Sequence, residues 1–272
     1  MGIGSTMGDV VGRGDASWGE SDVVSEFVST DGVSDAGEAA ALAHVHDHAQ
    51  GDVLDIGVGA GRTTGLVRPG AATYLGIDLS SEMVDVARSK FPGVDLRVGD
   101  ARDLAGLPAA AFDLVMFSFN GLDALDRSDR ALALSAMARA ARPGGRVLFS
   151  SLNLDGVSFD ERPWRLQGGL RSARGRFHVA HAIRQPSTML RSLRNFRRTR
   201  DEVVDGDGWA MRPLRAHEFR FVVHFATLAR TVADARAAGL EVVAAYADDG
   251  SPVDPAAGHV GADYVHFVCR VT

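Results

Sequence analysis

One cysteine and one lysine stand in a chain of 272 residues. The lone thiol, Cys269, excludes an internal disulfide and any metal site built from several cysteines, so no metal is expected. It lies in the apolar run YVHFVCRV, where it reads as a small core side chain. The lack of further thiols suits a reducing, cytoplasmic compartment. Lys90 is accompanied by 28 arginines, a coding bias that says little about chemistry. No apolar run approaches the roughly 18 residues a membrane helix needs, so no membrane partner is expected. The opening stretch MGIGSTMGDVVGRGDAS lacks both the basic start and the hydrophobic segment of a signal peptide. Residues 1–20 therefore read as a flexible glycine-rich leader. Repeats and low-complexity tracts are also absent.

What is present suits one large α/β domain with a small addition. The net charge of −6 conceals an asymmetry: residues 162–200 carry eleven arginines and no acid. That stretch is +11, and the remainder, −6 less 11, is −17.

From about residue 36 to 152, short apolar segments alternate with amphipathic ones. DAGEAAALAHVHDHAQ reads as a helix leading into the buried strand DVLDIG. GRTTGLV opens a short helix, and AATYLGID is a second strand. SSEMVDVARSK has a serine N-cap, an acidic first turn and a basic last turn, as the helix dipole favours. VDLRVGDA, FDLVMFSFN and RVLFSSLN are further strands, with the helix DRALALSAMARAA and the turn RPGG before the last. Repeated βα alternation predicts a doubly wound, mostly parallel sheet with ligands beyond its carboxyl ends.

After Asn153 the rhythm breaks. PSTMLRSLRNFRR is an amphipathic helix with arginines on one face, and TRDEVVDGDGWAMR resembles a hairpin turning near Gly206 and Gly208. EFRFVVHF alternates Phe219, Phe221, Val223 and Phe225 on one side of a strand. The helix LARTVADARAAG and the strands LEVVAAYA and DYVHFVCRV then resume the sheet. Residues 21–153 and 227–272 are expected to form the core, and 154–226 an inserted substrate cap containing antiparallel strands.

The stretch Asp55-Ile56-Gly57-Val58-Gly59-Ala60-Gly61 follows a strand and opens a helix, as a nucleotide loop does. The dinucleotide fingerprint G-x-G-x-x-G nevertheless fails, because Arg62 occupies its third glycine position. Acids follow at successive strand ends. Asp78 can accept both hydrogen bonds of a ribose diol, and Asp100, next to Ala101, can accept from an exocyclic amine. Met83 offers a soft apolar face to an adenine. Together these groups outline an adenosine.

The ordered set VLDIGVGAGRTT, YLGIDLSSEMVDVAR, VGDARDL, FDLVMFSFNGLD and RPGGRVLFSS resembles the motifs of class I S-adenosylmethionine-dependent methyltransferases, over roughly residues 45–152. The resemblance implies a seven-stranded sheet of order 3-2-1-4-5-7-6, with the last strand antiparallel, and S-adenosylmethionine as cofactor. It implies that Gly57 and Gly59 admit the methionine part, that Asp78 holds the ribose, and that Leu79 and Met83 flank the adenine. Asp100 and Ala101 would read the adenine edge, and Phe117 through Asn120 would lie beside the sulfonium and the acceptor. Arg62 either lies near the cofactor carboxylate or pairs on the helix surface.

The fourth strand ends in FSFNG and lacks the N-P-P-aromatic pattern of many base-directed enzymes. This counts against nucleic acid as a partner, although the arginine segment could track phosphates as in an RNA methyltransferase. A small-molecule methyl acceptor, taking the group on N or O, is expected instead, with secondary metabolism as one setting. The arginines would form a solvated face or recognise an anionic group on the substrate. The inserted cap resembles those of small-molecule methyltransferases, where such elements enclose the acceptor or join subunits, so a homo-oligomer is one expectation. His178, His181, His217 and His224 fall in the cap. His224 alternates opposite the apolar face of its strand and is expected to point into the cavity. His224, His181 and Asn120 are candidate catalytic groups, but no base is assignable. Two other functions remain: a cofactor-binding sensor without turnover, and an NAD-binding oxidoreductase.

Overall fold

The computed structural model describes residues 32, 35–159, 161–164 and 186–272. The leader, His178 and His181 lie outside the described residues. The strands β1 (Asp52–Ile56), β2 (Thr73–Asp78), β3 (Asp95–Val98), β4 (Phe112–Phe117), β5 (Ala141–Leu152), β9 (Leu240–Ala247) and β10 (Tyr264–Val271) form one sheet. Its order is β3-β2-β1-β4-β5-β10-β9, with β10 antiparallel to both neighbours. This is the expected doubly wound arrangement. Both faces of β1 are buried, which is why DVLDI reads as a continuous apolar run rather than an alternation.

Helices α1 (Ala36–His44), α2 (Thr64–Val67), α3 (Ser81–Lys90), α4 (Arg127–Ala140) and α6 (Leu228–Ala237) accompany the sheet. The Ser80 hydroxyl accepts from the Met83 amide at 3.2 Å and starts α3, as its sequence predicts. Gly37 in α1 has no room for a side chain, because a Cβ there would lie 2.1 Å from the Ala247 carbonyl oxygen. The first turn of α1 thus sits directly on β9.

Two local expectations change. RPGG is not a free turn but part of β5: Phe112 pairs with Ala141 and Leu114 with Arg146, so the extra residues bulge within the ladder. EFRFVVHF is a strand only from Val222 to Ala226, β8. Glu218 and Phe219 before it are left-handed (φ 50° and 57°), which breaks the alternation. The Phe219 ring turns inward against Phe196, with ring centres 5.4 Å apart.

A second sheet of β6 (Val204–Gly206), β7 (Trp209–Pro213) and β8 is antiparallel throughout, in the order β6-β7-β8. It follows α5 (Pro186–Thr199). Asn153 bridges Ala226 just beyond β5, so this sheet abuts the carboxyl end of the main one. At the junction Asp123 and Arg130, each 1% exposed, form a buried ion pair at 2.5 Å. The Asp123 carboxylate also accepts from the Ser151 hydroxyl and the Leu152 amide. Removing one partner would strand the other charge. Arg130→Ala is expected to cost about 3–5 kcal/mol by urea denaturation, and replacing both members by leucine distinctly less than the two single losses combined.

Candidate cofactor and acceptor site

The parallel register places Asp55 beside Gly76 and Met116, and Ile56 beside Ile77. The chain beyond β1 therefore emerges between the ends of β2 and β4. Gly57 and Gly59 both turn left-handed there (φ 62° and 54°). At Gly57 a Cβ would also meet the Phe117 ring at 2.5 Å, whereas at Gly59 it would find open space. Gly59 is thus needed for its backbone angle and Gly57 for angle and room.

Asp78 closes the loop. One of its carboxylate oxygens accepts from the Gly59 amide at 2.8 Å and the other from the Ser80 amide at 2.9 Å. Burial raises its pKa, and these amides pull it back. Each oxygen retains a lone pair, which a ribose diol could use. Next to it Leu79 is 41% exposed, while Met83 is 3% exposed and faces the core. Asp100 is engaged by its own neighbour: the Arg102 amide, Nε and a terminal nitrogen all donate to it. Arg102 also reaches Asp129 at 2.9 Å. Burial acts to raise the Asp100 carboxyl, but Arg102 holds it below its ordinary value. Ala101 is half-buried beside it.

Arg62 is 10% exposed, and its guanidinium is engaged by groups of the chain. It makes a two-pronged pair with Glu38 of α1 at 2.6 and 2.7 Å, and donates to the Gly32 carbonyl and the Ser118 hydroxyl. Phe119 covers its face at 4.9 Å. The pairing is therefore buried, not on the helix surface, and a cofactor carboxylate would have to compete with Glu38. Glu38 carried no signal in sequence, and Phe119, although within the Phe117–Asn120 stretch, carried none for its contact with Arg62, since both depend on contacts across the fold.

Phe119 and Asn120 are consecutive left-handed residues at the end of β4 (φ 54° and 56°). Strained pairs of this kind persist where the surroundings hold them, often at functional sites. The Asn120 amide donates to the Ser150 hydroxyl at 2.7 Å, while its side-chain oxygen is buried without a donor among the described residues. Beneath the loop, Asp55 accepts from the Thr63 hydroxyl at 2.5 Å and the Tyr74 hydroxyl at 2.7 Å. Burial pushes its carboxyl up to about 6 despite those donors.

His224 on β8 is fully buried and stacks on Trp209, with ring centres 5.6 Å apart and planes 5° from parallel. Neither ring nitrogen has a partner among the described residues. Burial, then Arg130 and Arg127, drives its pKa down to about 2. His217 falls to about 4 through burial and Arg220. Neither imidazole is readily protonated in this setting. Asn153 has a structural task, donating from Nδ2 to the Val260 and Ala262 carbonyls.

A glycine loop clasped by a strand-end carboxylate, beyond the carboxyl ends of a 3-2-1-4-5-7-6 sheet, defines a Rossmann-like nucleotide-cofactor fold. Residues 53–145, about a third of the chain, match a family described as "Methyltransferase domain". Family and fold imply S-adenosylmethionine as cofactor. The chain is 35% identical over 112 residues to a ubiquinone biosynthesis O-methyltransferase of Thiobacillus denitrificans, covering 39% of this chain and 47% of that protein. It is also 35% identical over 122 residues to a malonyl-(acyl-carrier protein) O-methyltransferase of Methylococcus capsulatus, covering 43% of each. The matches thus span less than half the length of either relative. Among solved structures, an S-adenosylmethionine dependent methyltransferase from Mesorhizobium loti superposes with TM-score 0.57 at 19% identity, over 87% of this chain and 98% of that one. The CcbJ methyltransferase from Streptomyces caelestis gives 0.56 at 19%, over 89% and 97%. At such identities these structures speak to the fold.

Two outcomes follow. Asp78→Ala is expected to weaken S-adenosylhomocysteine binding roughly 10- to 100-fold in calorimetric titration, the loss of a charged hydrogen-bond acceptor. Asp55 has a folded pKa above its ordinary value, so its contribution to stability is complete below that ordinary value and is lost as pH rises through about 6. Asp55→Asn should remove up to about 3 kcal/mol of that fall between pH 4 and 8, read from urea midpoints.

Proposed function

We propose that the protein transfers the methyl group of S-adenosylmethionine to an oxygen or nitrogen of a small organic acceptor. The observation that carries this reading is the Asp78 carboxylate bound to the Gly59 amide at the carboxyl end of β2, on the sheet edge that also carries the left-handed Phe119–Asn120 pair after β4. The matched relatives are named O-methyltransferases, which favours oxygen. The absence of a membrane-spanning helix among the described residues is compatible with a freely diffusing acceptor.

The donor supplies an electrophilic methyl on a positively charged sulfur that is already a good leaving group. The work left to the chain is alignment. Asp78 and the glycine loop would orient the adenosyl part. The orphaned Asn120 oxygen is suited to a cationic or N–H donor. Residues 154–226 would close over the acceptor as a cap, with β8 bringing His224 toward the 3₁₀ turn Gly121–Ala124.

A histidine held near pKa 2 is a poor proton acceptor at neutral pH. An acceptor that is nucleophilic unaided suits such a site: a carboxylate, an acidic phenol or an amine. Incubation with methyl-labelled donor and a panel of such compounds should give transfer whose pH profile follows the ionisation of the acceptor. His224→Gln should keep that profile, without losing an inflection between pH 5 and 8. Binding of the donor with no transfer to any acceptor would instead indicate a sensor, and transfer to RNA alone would indicate the other substrate class.

A further inference from the structure

The arginine-rich segment is not absorbed by the site described above. Its described part includes α5, fixed by one face. Ser192 and Thr199 are buried, the Asn195 side chain donates to the Glu218 carbonyl at 3.0 Å, and the Phe196 ring packs on Phe219. At 100° per residue the opposite face gathers Leu190, Arg191, Arg194, Arg197 and Arg198. All five are exposed, Leu190 by 68%. Arg191 is paired with Glu218 at 2.8 Å. Arg194, Arg197 and Arg198 have no ion pair or hydrogen bond among the described residues, although the chain outside 162–200 carries a net charge of −17.

Three like charges at i, i+3 and i+4 repel one another by a few tenths of a kcal/mol per pair. The fold thus leaves a self-repelling stripe, roughly 12 Å from Leu190 to Arg198, that no anion among the described residues relieves. We propose that this outer face of α5 is a docking surface for an acidic helix of a partner protein. Carboxylates at the same helical spacing would lie against the three guanidiniums, with an apolar side chain on Leu190.

Two observations favour protein over nucleic acid. Leu190 places an apolar anchor within the stripe, and arginine around an apolar contact is a composition found in protein interfaces. A stripe this short reaches few phosphates, and the acidic remainder of the chain opposes a long polyanion.

The test uses the full chain and three fluorescent probes: an amphipathic peptide helix with glutamates at i, i+3, i+4 and i+7 around leucine, its lysine counterpart, and an oligouridylate. Anisotropy should show salt-sensitive binding of the glutamate peptide. The triple reversal R194E/R197E/R198E should weaken that binding at least about tenfold and admit the lysine peptide, a swap that mere unfolding would not produce. The milder R197Q/R198Q should give an intermediate loss with unchanged thermal melting and unchanged S-adenosylhomocysteine binding. Equal affinity of parent and reversed chains for the glutamate peptide overturns the proposal. So does tighter oligouridylate binding that the reversal abolishes, or parent self-association, seen by sedimentation, that the reversal abolishes.

Discussion

Everything at the site hangs on the two-sided parallel pairing of β1. Because Ile56 lies beside Ile77 and Asp55 beside Met116, the chain leaving β1 has nowhere to go except between the ends of β2 and β4. That confinement demands left-handed backbone at Gly57 and Gly59 and brings the Gly59 amide to Asp78. A slip of one residue would exchange the two faces of β1 and move the carboxylate off the loop. The cofactor cradle is therefore a consequence of sheet register, held by the same burial that makes the core.

Around the cradle the chain uses charges as fasteners. Glu38 and Arg62 bind α1 to the glycine loop, and Ser118 and Phe119 extend the clasp to the end of β4. Asp35 caps α1 and also meets Tyr264 and His266 of β10. Four segments, α1, the glycine loop, the end of β4 and β10, thereby share one polar chain. On the same edge of the sheet, Asp123 and Arg130 do the same for the turn Gly121–Ala124, α4 and the end of β5. Such pairs add specificity of placement more than net stability, since their desolvation offsets much of the attraction.

The electrostatics around the imidazoles separate two chemistries. A hydroxyl of high pKa needs a base, and a histidine flanked by Arg127 and Arg130 and sealed from water is poorly suited to that task. A neutral ring can still donate one hydrogen bond and accept another. Methyl transfer from a sulfonium asks for alignment more than for a base.

How much of this was legible beforehand differs by type of contact. Most strand and helix identities, the serine cap at Ser80 and the placing of Asp78 and Asp100 at successive strand ends follow from local pattern, because burial periodicity and turn chemistry are short-range; the sheet order came from the resemblance of the ordered motifs to a family. The missing third glycine at Arg62 was visible, but its partner Glu38, 24 residues away, was not. The pairing of Asp100 with Arg102, the inward turn of Phe219 and the stacking of His224 on Trp209 were equally hidden. The sequence by itself determined the fold class and which residues reach the carboxyl edge of the sheet. Tertiary structure alone decided which charges are already spoken for and which side chains lose water, because both depend on neighbours brought together only when the sheet closes.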